Sequence, residues 1–359
     1  MAMVKSKAAA VSMIAGFILL VLIILFVILI IYIRSYKNPF DKKLAEAGIV
    51  EKTAQVGDIM FNYAEGPDNG PALVLLHAQL LDWYTYSETL PELAKHFHVF
   101  AVDYPGHGKT TYPDGYQMTA NNIGAGLAAF IEDVIGDKVY ITGNSSGGLL
   151  TVWLAANRPD LVKAAVLEDP PLFSAEYPGI KNTIAYKSFT TSNKALSEGY
   201  NDDFLMYWLS ESKEFFKNRY GSLAEPMIEF AVKNYRHANP GEPVEIAFVP
   251  SVVKEMIRGL GYYDPRFGNA FYEGTWNTGF DHEQALADIK CPVLLLHANY
   301  EIMEDGTLNG ALSDEQAQKA MALLPDGEYI QVDSTHVINI EHPDIFAKFI
   351  MEFFLDDAS

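Results

Sequence analysis

One cysteine, Cys291, is all the chain of 359 residues has, which excludes an internal disulfide framework and any metal site built from several cysteines. Cations are scarce as well: 26 Lys and Arg stand against 46 Asp and Glu, and a net charge of −20 repels phosphate backbones. No basic face offsets that deficit, so no nucleic-acid partner is expected. There is no HExxH, and His96-x-His98 lacks a third ligand, so no metal is expected. Gly124-Ala125-Gly126-Leu127-Ala128-Ala129 imitates a dinucleotide fingerprint, but it falls in helical spacing and follows no strand. It reads as helix packing, and no cofactor is expected. Internal repeats are also lacking. The apolar share of 49% is ample for one large domain, or for one domain with an insertion.

What the sequence does have is an almost wholly apolar run from Val11 to Ile33. About 23 residues at about 1.5 Å each give about 35 Å of helix, enough to cross a bilayer with some tilt. A helix apolar on every face has no use in an ordinary core, and the run is too long and too far from Ala45-Glu46-Ala47 for a cleaved signal region. Residues 11–33 are therefore expected to be a single-pass anchor in the cell membrane. Lys5 and Lys7 precede the run; Arg34, Lys37, Lys42 and Lys43 follow it. A short basic amino-terminal tail favours the cytoplasm, which leaves the remainder of the chain outside the membrane.

Beyond the anchor, Val50–Gln55 and Asp58–Glu65 alternate around Val56-Gly57 as an antiparallel hairpin does. Four β-rich runs follow with helical stretches between them: Leu73–Leu76, Val99–Val102, Val139–Thr142 and Ala164–Leu167. The pattern resumes at Val293–Leu296 and Glu328–Val332, and a final helix starts near Pro343. Such alternation predicts an α/β fold with a mostly parallel sheet and helices on both faces. Cys291, with Pro292 behind it, leads into one of these strands. Between Leu172 and Phe280 the spacing turns helical and rich in Tyr, Phe and Trp, which predicts a helical insertion whose aromatics mostly fill its own core. The expected organisation is 1–36 tail and anchor, 37–171 core, 172–280 helical cap and 281–359 core.

The chemistry concentrates at Gly143-Asn144-Ser145-Ser146-Gly147. Gly-x-Ser-x-Gly after a strand and before a helix is the spacing of a nucleophile elbow, where a strained turn lifts the serine hydroxyl clear of the backbone. The glycines keep space open across the turn, and the helix from Leu149 to Asn157 aims its N–H groups at the same spot. Serine needs a base, and His336, in the loop after the last strand, is the best placed of nine histidines. His96, His98 and His282 read as surface or satisfied residues. In the chain order Ser, acid, His, the acid is expected in the loop after Val293–Leu296. That loop offers Glu301, the preferred candidate, with Glu304 and Asp305 behind it; Asp169, at the end of an earlier strand, is a further possibility.

These residues resemble the α/β-hydrolase fold family, in its capped serine hydrolase form, from about Val50 to Leu355. Pro71–His77 with Ala78-Gln79 is similar to the family's strand and oxyanion loop. Asp103-Tyr104-Pro105-Gly106-His107-Gly108-Lys109-Thr110 is similar to its Asp-x-x-Gly-His-Gly-x-Ser turn. Ile289–Leu296 resembles the approach to its acid strand, and His336 with Glu341, Pro343 and Phe346 its closing segment. Ala78, Thr110, and Ala298 with Glu301 depart from the common Gly, Ser, and Gly with Asp. The resemblance implies an eight-stranded-type sheet and an oxyanion hole from the backbone N–H groups of Ser146 and Gln79. The expected activity is hydrolysis of a carboxylic ester of a small acyl substrate through an acyl-enzyme on Ser145, His336 and Glu301. Aminopeptidase, thioesterase and carbon–carbon bond hydrolase activities use the same three residues. A non-catalytic small-ligand binding protein is the rival of another class. Epoxide hydrolases and dehalogenases of this fold need an aspartate where Ser145 stands.

Overall fold

The computed structural model describes residues 2–356, with side chains from 12 to 355. The side chains of Lys5 and Lys7, on which the orientation argument draws, lie outside the described residues. The chain forms two compact units: residues 1–38 with 212–249, and residues 39–211 with 250–359.

The larger unit is built on a sheet. β1 (Val50–Val56) and β2 (Ile59–Glu65) form the antiparallel hairpin, turning at Gly57 with φ +54°. β3 (Ala72–Leu76), β4 (His98–Asp103), β5 (Val139–Asn144), β6 (Val162–Glu168) and β7 (Val293–His297) follow. A two-stranded ribbon, β8 (Glu301–Ile302) and β9 (Leu308–Asn309), stands apart before β10 (Gly327–Gln331). The eight-stranded order is β1-β2-β4-β3-β5-β6-β7-β10, and every pair from β4 to β10 is parallel. Parallel strands need crossovers on both faces, and the sequence obliges: β3 and β7 are buried along their whole length and apolar but for His297, as strands covered on both sides must be. This is the α/β-hydrolase fold.

Register fixes where chemistry can happen. Asn144 of β5 pairs with Glu168 of β6, and Glu168 pairs with Leu296 of β7. Ser145 and Asp169 therefore leave the sheet side by side at its carboxyl edge, as ligand-binding loops do in parallel sheets. Gln331 of β10 pairs with His297, so the loop carrying His336 emerges at the same edge.

Helices fill the span between β6 and β7, among them Ala185–Glu198, Ser251–Leu260 and Pro265–Glu273 in the larger unit. Their aromatics pack on one another: Phe189 stacks on Phe271 at 5.0 Å and Phe271 on Trp276 at 4.5 Å. Gly124 and its neighbours lie in the helix Ala120–Phe130, where a Cβ on Gly124 would meet the Trp153 ring at 2.2 Å, so the glycine serves helix packing.

In the smaller unit the helix Ala2–Ser35 is long and apolar enough to cross a membrane, with a mean hydropathy of 3.7 over its most apolar stretch. Residues 12–29 are exposed, whereas Ile33 is buried. Its carboxyl end packs on the helix Ala224–Ala238: the Phe26 and Phe230 rings lie 5.8 Å apart, and Arg34 donates to Asn234 Oδ1 at 3.0 Å.

Candidate active site

β5 hands over to the helix Ser146–Asn157 through a single residue, Ser145, at φ 56° and ψ −118°. A non-glycine residue held there costs about 1–3 kcal/mol of strain, so the surroundings must over-determine it. They do. The Ser145 N–H donates to the Glu168 carbonyl at 3.0 Å and its own carbonyl accepts from Leu149 N–H at 3.0 Å. A Cβ on Gly143 would lie 2.3 Å from the Gly147 carbonyl group, and one on Gly147 would lie 2.2 Å from the Leu76 oxygen. Both flanking glycines are therefore steric requirements of this turn. Ser146 opens the helix, so its N–H has no intrahelical acceptor and is available to an anion.

His336 and Asp169 meet at this edge: Nδ1 of His336 lies 2.7 Å from Asp169 Oδ2. Asp169 is buried, and its other oxygen, Oδ1, accepts from the Ala298 N–H at 3.2 Å. Its backbone is fixed too, at φ 43°, with its N–H donating to the Leu296 carbonyl at 2.8 Å. The His336 carbonyl accepts from Asn144 Nδ2 at 2.8 Å, which ties the histidine loop to the residue preceding Ser145. With Nδ1 engaged by a carboxylate, Nε2 is the nitrogen left to face a hydroxyl.

Glu301, the preferred acid, is not brought to His336. It stands exposed in the β8–β9 ribbon, paired with Asn309, because the chain beyond Tyr300 folds into a hairpin of its own. Glu304 is exposed in the same ribbon's turn, and Asp305 is spent within that turn, accepting from Thr307 N–H at 3.0 Å. Of the four acids considered, only Asp169 touches the imidazole.

Glu168, beside Asp169, has a separate task. Buried at the end of β6, it accepts from the Asn339 N–H at 2.8 Å and so holds the segment after His336. Burial is the main cause that pushes its carboxyl up to about 8, with the Asp169 charge adding to the effect and the bond from Asn339 opposing it. Two adjacent residues thus divide the work: one grips the imidazole, the other its loop.

Across the edge lies the loop Ala78-Gln79, with Leu80 at φ 67°. Tyr104 clamps this loop to the elbow. Its hydroxyl donates to the His77 carbonyl at 2.9 Å, so it must accept from Ser146 Oγ, also at 2.9 Å. Ser146 thereby has a structural use for its side chain, while its N–H stays free of it. The opposite side of the loop is pressed by the helix Ser251–Leu260, where a Cβ on Gly259 would lie 2.2 Å from the Leu80 oxygen. Gln79 Oε1 is buried with no hydrogen-bond partner among the described residues.

Asp103 organises the turn beneath, accepting from Trp83 N–H at 2.7 Å and Asn62 Nδ2 at 2.8 Å. Burial first, then the neighbouring Asp82 charge, pushes its carboxyl up to about 7. Thr110 does what a serine would, donating through Oγ1 to the Asp103 carbonyl at 2.6 Å and accepting from Asn62 N–H at 2.8 Å. His77 is fully buried, and that burial pushes it down to about 4, which leaves it neutral and structural. His98 and His282 have partners of their own: Glu65 for the first, the Phe173 N–H and Asn277 for the second. Among the described residues no cluster of three or more His, Cys, Asp or Glu is arranged to hold a metal.

Comparison with known sequences agrees with this architecture. The profile of the alpha/beta hydrolase family matches residues 73–349, from β3 into the terminal helix.

The chain belongs to the α/β hydrolase family.

Within it, the chain is 26% identical over 319 residues to the 2-hydroxy-6-oxo-6-(2'-aminophenyl)hexa-2,4-dienoic acid hydrolase of Metapseudomonas resinovorans, covering 86% of this chain and 92% of that one. It is 23% identical over 294 residues to the carboxylesterase nap of Bacillus subtilis, covering 81% of each. Among solved structures, a membrane phospholipase A superposes with a TM-score of 0.60 at 19% identity, covering 96% of this chain and 97% of that one. At that identity the likeness is one of fold.

Sequence reasoning missed Tyr104, Glu168 and Asn144 as parts of this hydrolase site. One signal was present. Glu168-Asp169 is a pair of acids directly after the apolar run Ala164–Leu167, and charge buried at the end of such a run is costly unless it is paired.

Proposed function

We propose that this α/β hydrolase is a membrane-anchored serine hydrolase of carboxylic esters, with Ser145 as nucleophile, His336 as general base and Asp169 as the acid that orients it. The observation that carries the reading is the 2.7 Å contact of His336 with buried Asp169, one residue beyond the strand that pairs with the strained Ser145 elbow. His336 takes the Ser145 proton as Oγ attacks the acyl carbonyl, then returns it to the leaving alcohol. Water activated by the same imidazole releases the acid. The N–H groups of Ser146 and Gln79 receive the oxyanion, each donor being worth about 3–4 kcal/mol of barrier lowering. The anchor is the apolar run of residues 11–33 within the helix Ala2–Ser35, and Lys5 and Lys7 ahead of that run support a catalytic unit outside the cytoplasm.

A serine-directed fluorophosphonate tests the chemistry. Wild type is labelled and Ser145→Ala is not; undiminished labelling of that variant overturns the reading. A second reading, cleavage of a carbon–carbon bond beside a carbonyl by the same residues, is favoured by the likeness to the dienoic acid hydrolase along most of both chains. Rates on p-nitrophenyl esters against rates on a 2-hydroxy-6-oxo-dienoate separate the two.

A further inference from the structure

One helix of the span between β6 and β7 reaches back to the edge that carries Ser145. The loop after β3 closes a turn in which the Leu81 N–H donates to the Ala78 carbonyl at 3.3 Å, so Gln79 and Leu80 stand at its corners. The third position of a turn is a glycine's place when its φ is positive, yet Leu80 holds φ 67° there. A side chain in that conformation costs about 1–3 kcal/mol and persists only where its surroundings over-determine it. Gln79, one residue away, carries the N–H that the proposed chemistry assigns to the oxyanion, and that N–H donates to nothing among the described residues. Whatever fixes Leu80 therefore aims the donor.

The helix Ser251–Leu260 supplies the hold. Gly259 lets it sit on the turn, since a Cβ there would lie 2.2 Å from the Leu80 oxygen and 2.7 Å from the Leu81 Cα, both backbone atoms that cannot swing aside. One residue earlier, Arg258 Nε donates to Asp82 Oδ2 at 3.1 Å, and the guanidinium lies 4.0 Å from the centre of the Tyr84 ring. Both partners are buried, Arg258 at 8% exposure and Asp82 at 4%. Asp82 Oδ1 accepts from the Tyr84 N–H at 3.0 Å, so the carboxylate pins the exit of the turn while the arginine pins the carboxylate. The same helix faces the histidine loop: Val252 and Met256 pack against a small apolar cluster of Ala78, Leu81, Val337 and Ile340. Apolar contact is non-directional, so this cluster sets how closely the two loops approach but not their register. A guanidinium bonded to a carboxylate is directional and sets it. Stability does not account for the pair, because a buried ion pair gains little over apolar residues of the same volume.

We propose that Arg258 is a positioning residue for catalysis: through Asp82 it holds the turn that aims the Gln79 N–H at the oxyanion. The inference rests on the reading of Ser145 and His336 as an acyl-transfer pair with Gln79 as an oxyanion donor. The oxyanion exists only beyond the ground state, so loss of the pair acts on kcat and leaves KM.

The experiment compares the full chain with its Arg258→Met and Arg266→Met variants on p-nitrophenyl butyrate, with circular dichroism and thermal melts to establish folding. Arg266 is the contrast, since it pairs with Asp264 at 2.8 Å and not with the turn after β3. Arg258→Met should lower kcat by about 10²-fold, the loss expected when a reacting partner is misplaced by about 1 Å, with KM within about twofold of wild type. A propyl trifluoromethyl ketone, to which Ser145 Oγ adds to form an oxyanion while His336 takes the proton, should bind more weakly by a similar factor. The matching ether, which forms no oxyanion, should bind as before. Asp82→Asn combined with Arg258→Met keeps an acceptor for the Tyr84 N–H and leaves no buried charge unpaired. It should lose no more kcat than Arg258→Met alone, and it decides the question where the single variant does not fold. Arg266→Met should keep the wild-type kcat. With Ser145→Ala inactive, a wild-type kcat in a folded variant lacking the pair overturns the positioning role. So does a loss carried by KM, an equal weakening of ketone and ether, or an equal loss in Arg266→Met. Undiminished turnover by Ser145→Ala overturns the chemistry itself, and the proposal with it.

Discussion

The carboxyl ends of β6 and β7 are neighbours on one sheet edge, and both are followed within a few residues by carboxylates. After β6 the chain places Asp169 immediately, buried, with both oxygens engaged and the His336 ring at 2.7 Å. After β7 it places Glu301 four residues out, in a ribbon whose hydrogen bonds turn inward on itself and whose side chains face water. Ala298, at the end of β7, instead lends its N–H to Asp169. What separates the two ends is the length of free chain before the acid: a residue on the last rung inherits the sheet's rigidity, whereas one several residues later inherits whatever the loop does. A carboxylate must hold an imidazole within a few tenths of an ångström, and only the first kind of placement supplies that here.

The largest expected effect breaks the comparison if it fails. Asp169→Asn should lower kcat on an activated ester by about 10³–10⁴-fold, since the amide offers the histidine the wrong tautomer partner while leaving the geometry in place. Glu301→Gln, measured in the same assay, should leave kcat and KM unchanged. Equal losses in the two variants, or a loss confined to Glu301→Gln, would return the acid to the β7 loop.

A smaller effect concerns steric fit at the neighbouring strand. Gly147→Ala should destabilise the unit by about 1–3 kcal/mol, because its Cβ would overlap the Leu76 oxygen. Denaturant melts of wild type and variant measure this, and Gly306→Ala in the β8–β9 ribbon, with nothing within 4 Å of its Cβ, is the contrast. There the cost should come only from its backbone, at φ +82°, so its removal should leave esterase kcat intact.

Glu168 sharpens the comparison through pH. Its folded-state pKa of about 8 lies above the usual carboxylate value of 4.5, chiefly through burial, so the folded state holds the proton more tightly than the unfolded one. Its contribution is present in full below about 4.5 and is lost as pH rises through about 8. Glu168→Gln, neutral at every pH, should therefore show a smaller fall in stability between those limits than wild type, by thermal melts at matched ionic strength. A parallel fall in both proteins would assign the dependence to other groups. Least of all should change on Asp305→Ala, a solvated turn residue whose loss should leave the thermal melt and kcat close to those of wild type.

Much of this was written in local sequence. The period-2 hairpin, the apolar parallel strands and the Gly-x-Ser-x-Gly turn each arise from interactions among residues close in the chain, so pattern alone located them to within a residue or two. His336 was legible because it stands in the loop directly after the last strand, ahead of the closing helix. Chain order favours Glu301 over Asp169, but order says only which loop follows which strand, and distance decides which carboxylate reaches the imidazole. Tyr104 lies within the turn around Gly106, yet its clamp on His77 and Ser146 joins three loops and has no local signature. The packing of residues 212–249 against the membrane-length helix was equally invisible, because nothing near Phe230 in sequence points to Phe26.

The sequence by itself determined the secondary structure, the order of the sheet's building blocks, the elbow serine and the helix that is long enough to span a bilayer, because backbone sterics and hydrophobic periodicity act over a few residues at a time. Only the tertiary structure decided which carboxylate meets His336. That choice depends on strand register across β5, β6 and β7 and on where a loop folds back, which are sums over contacts between residues more than a hundred positions apart.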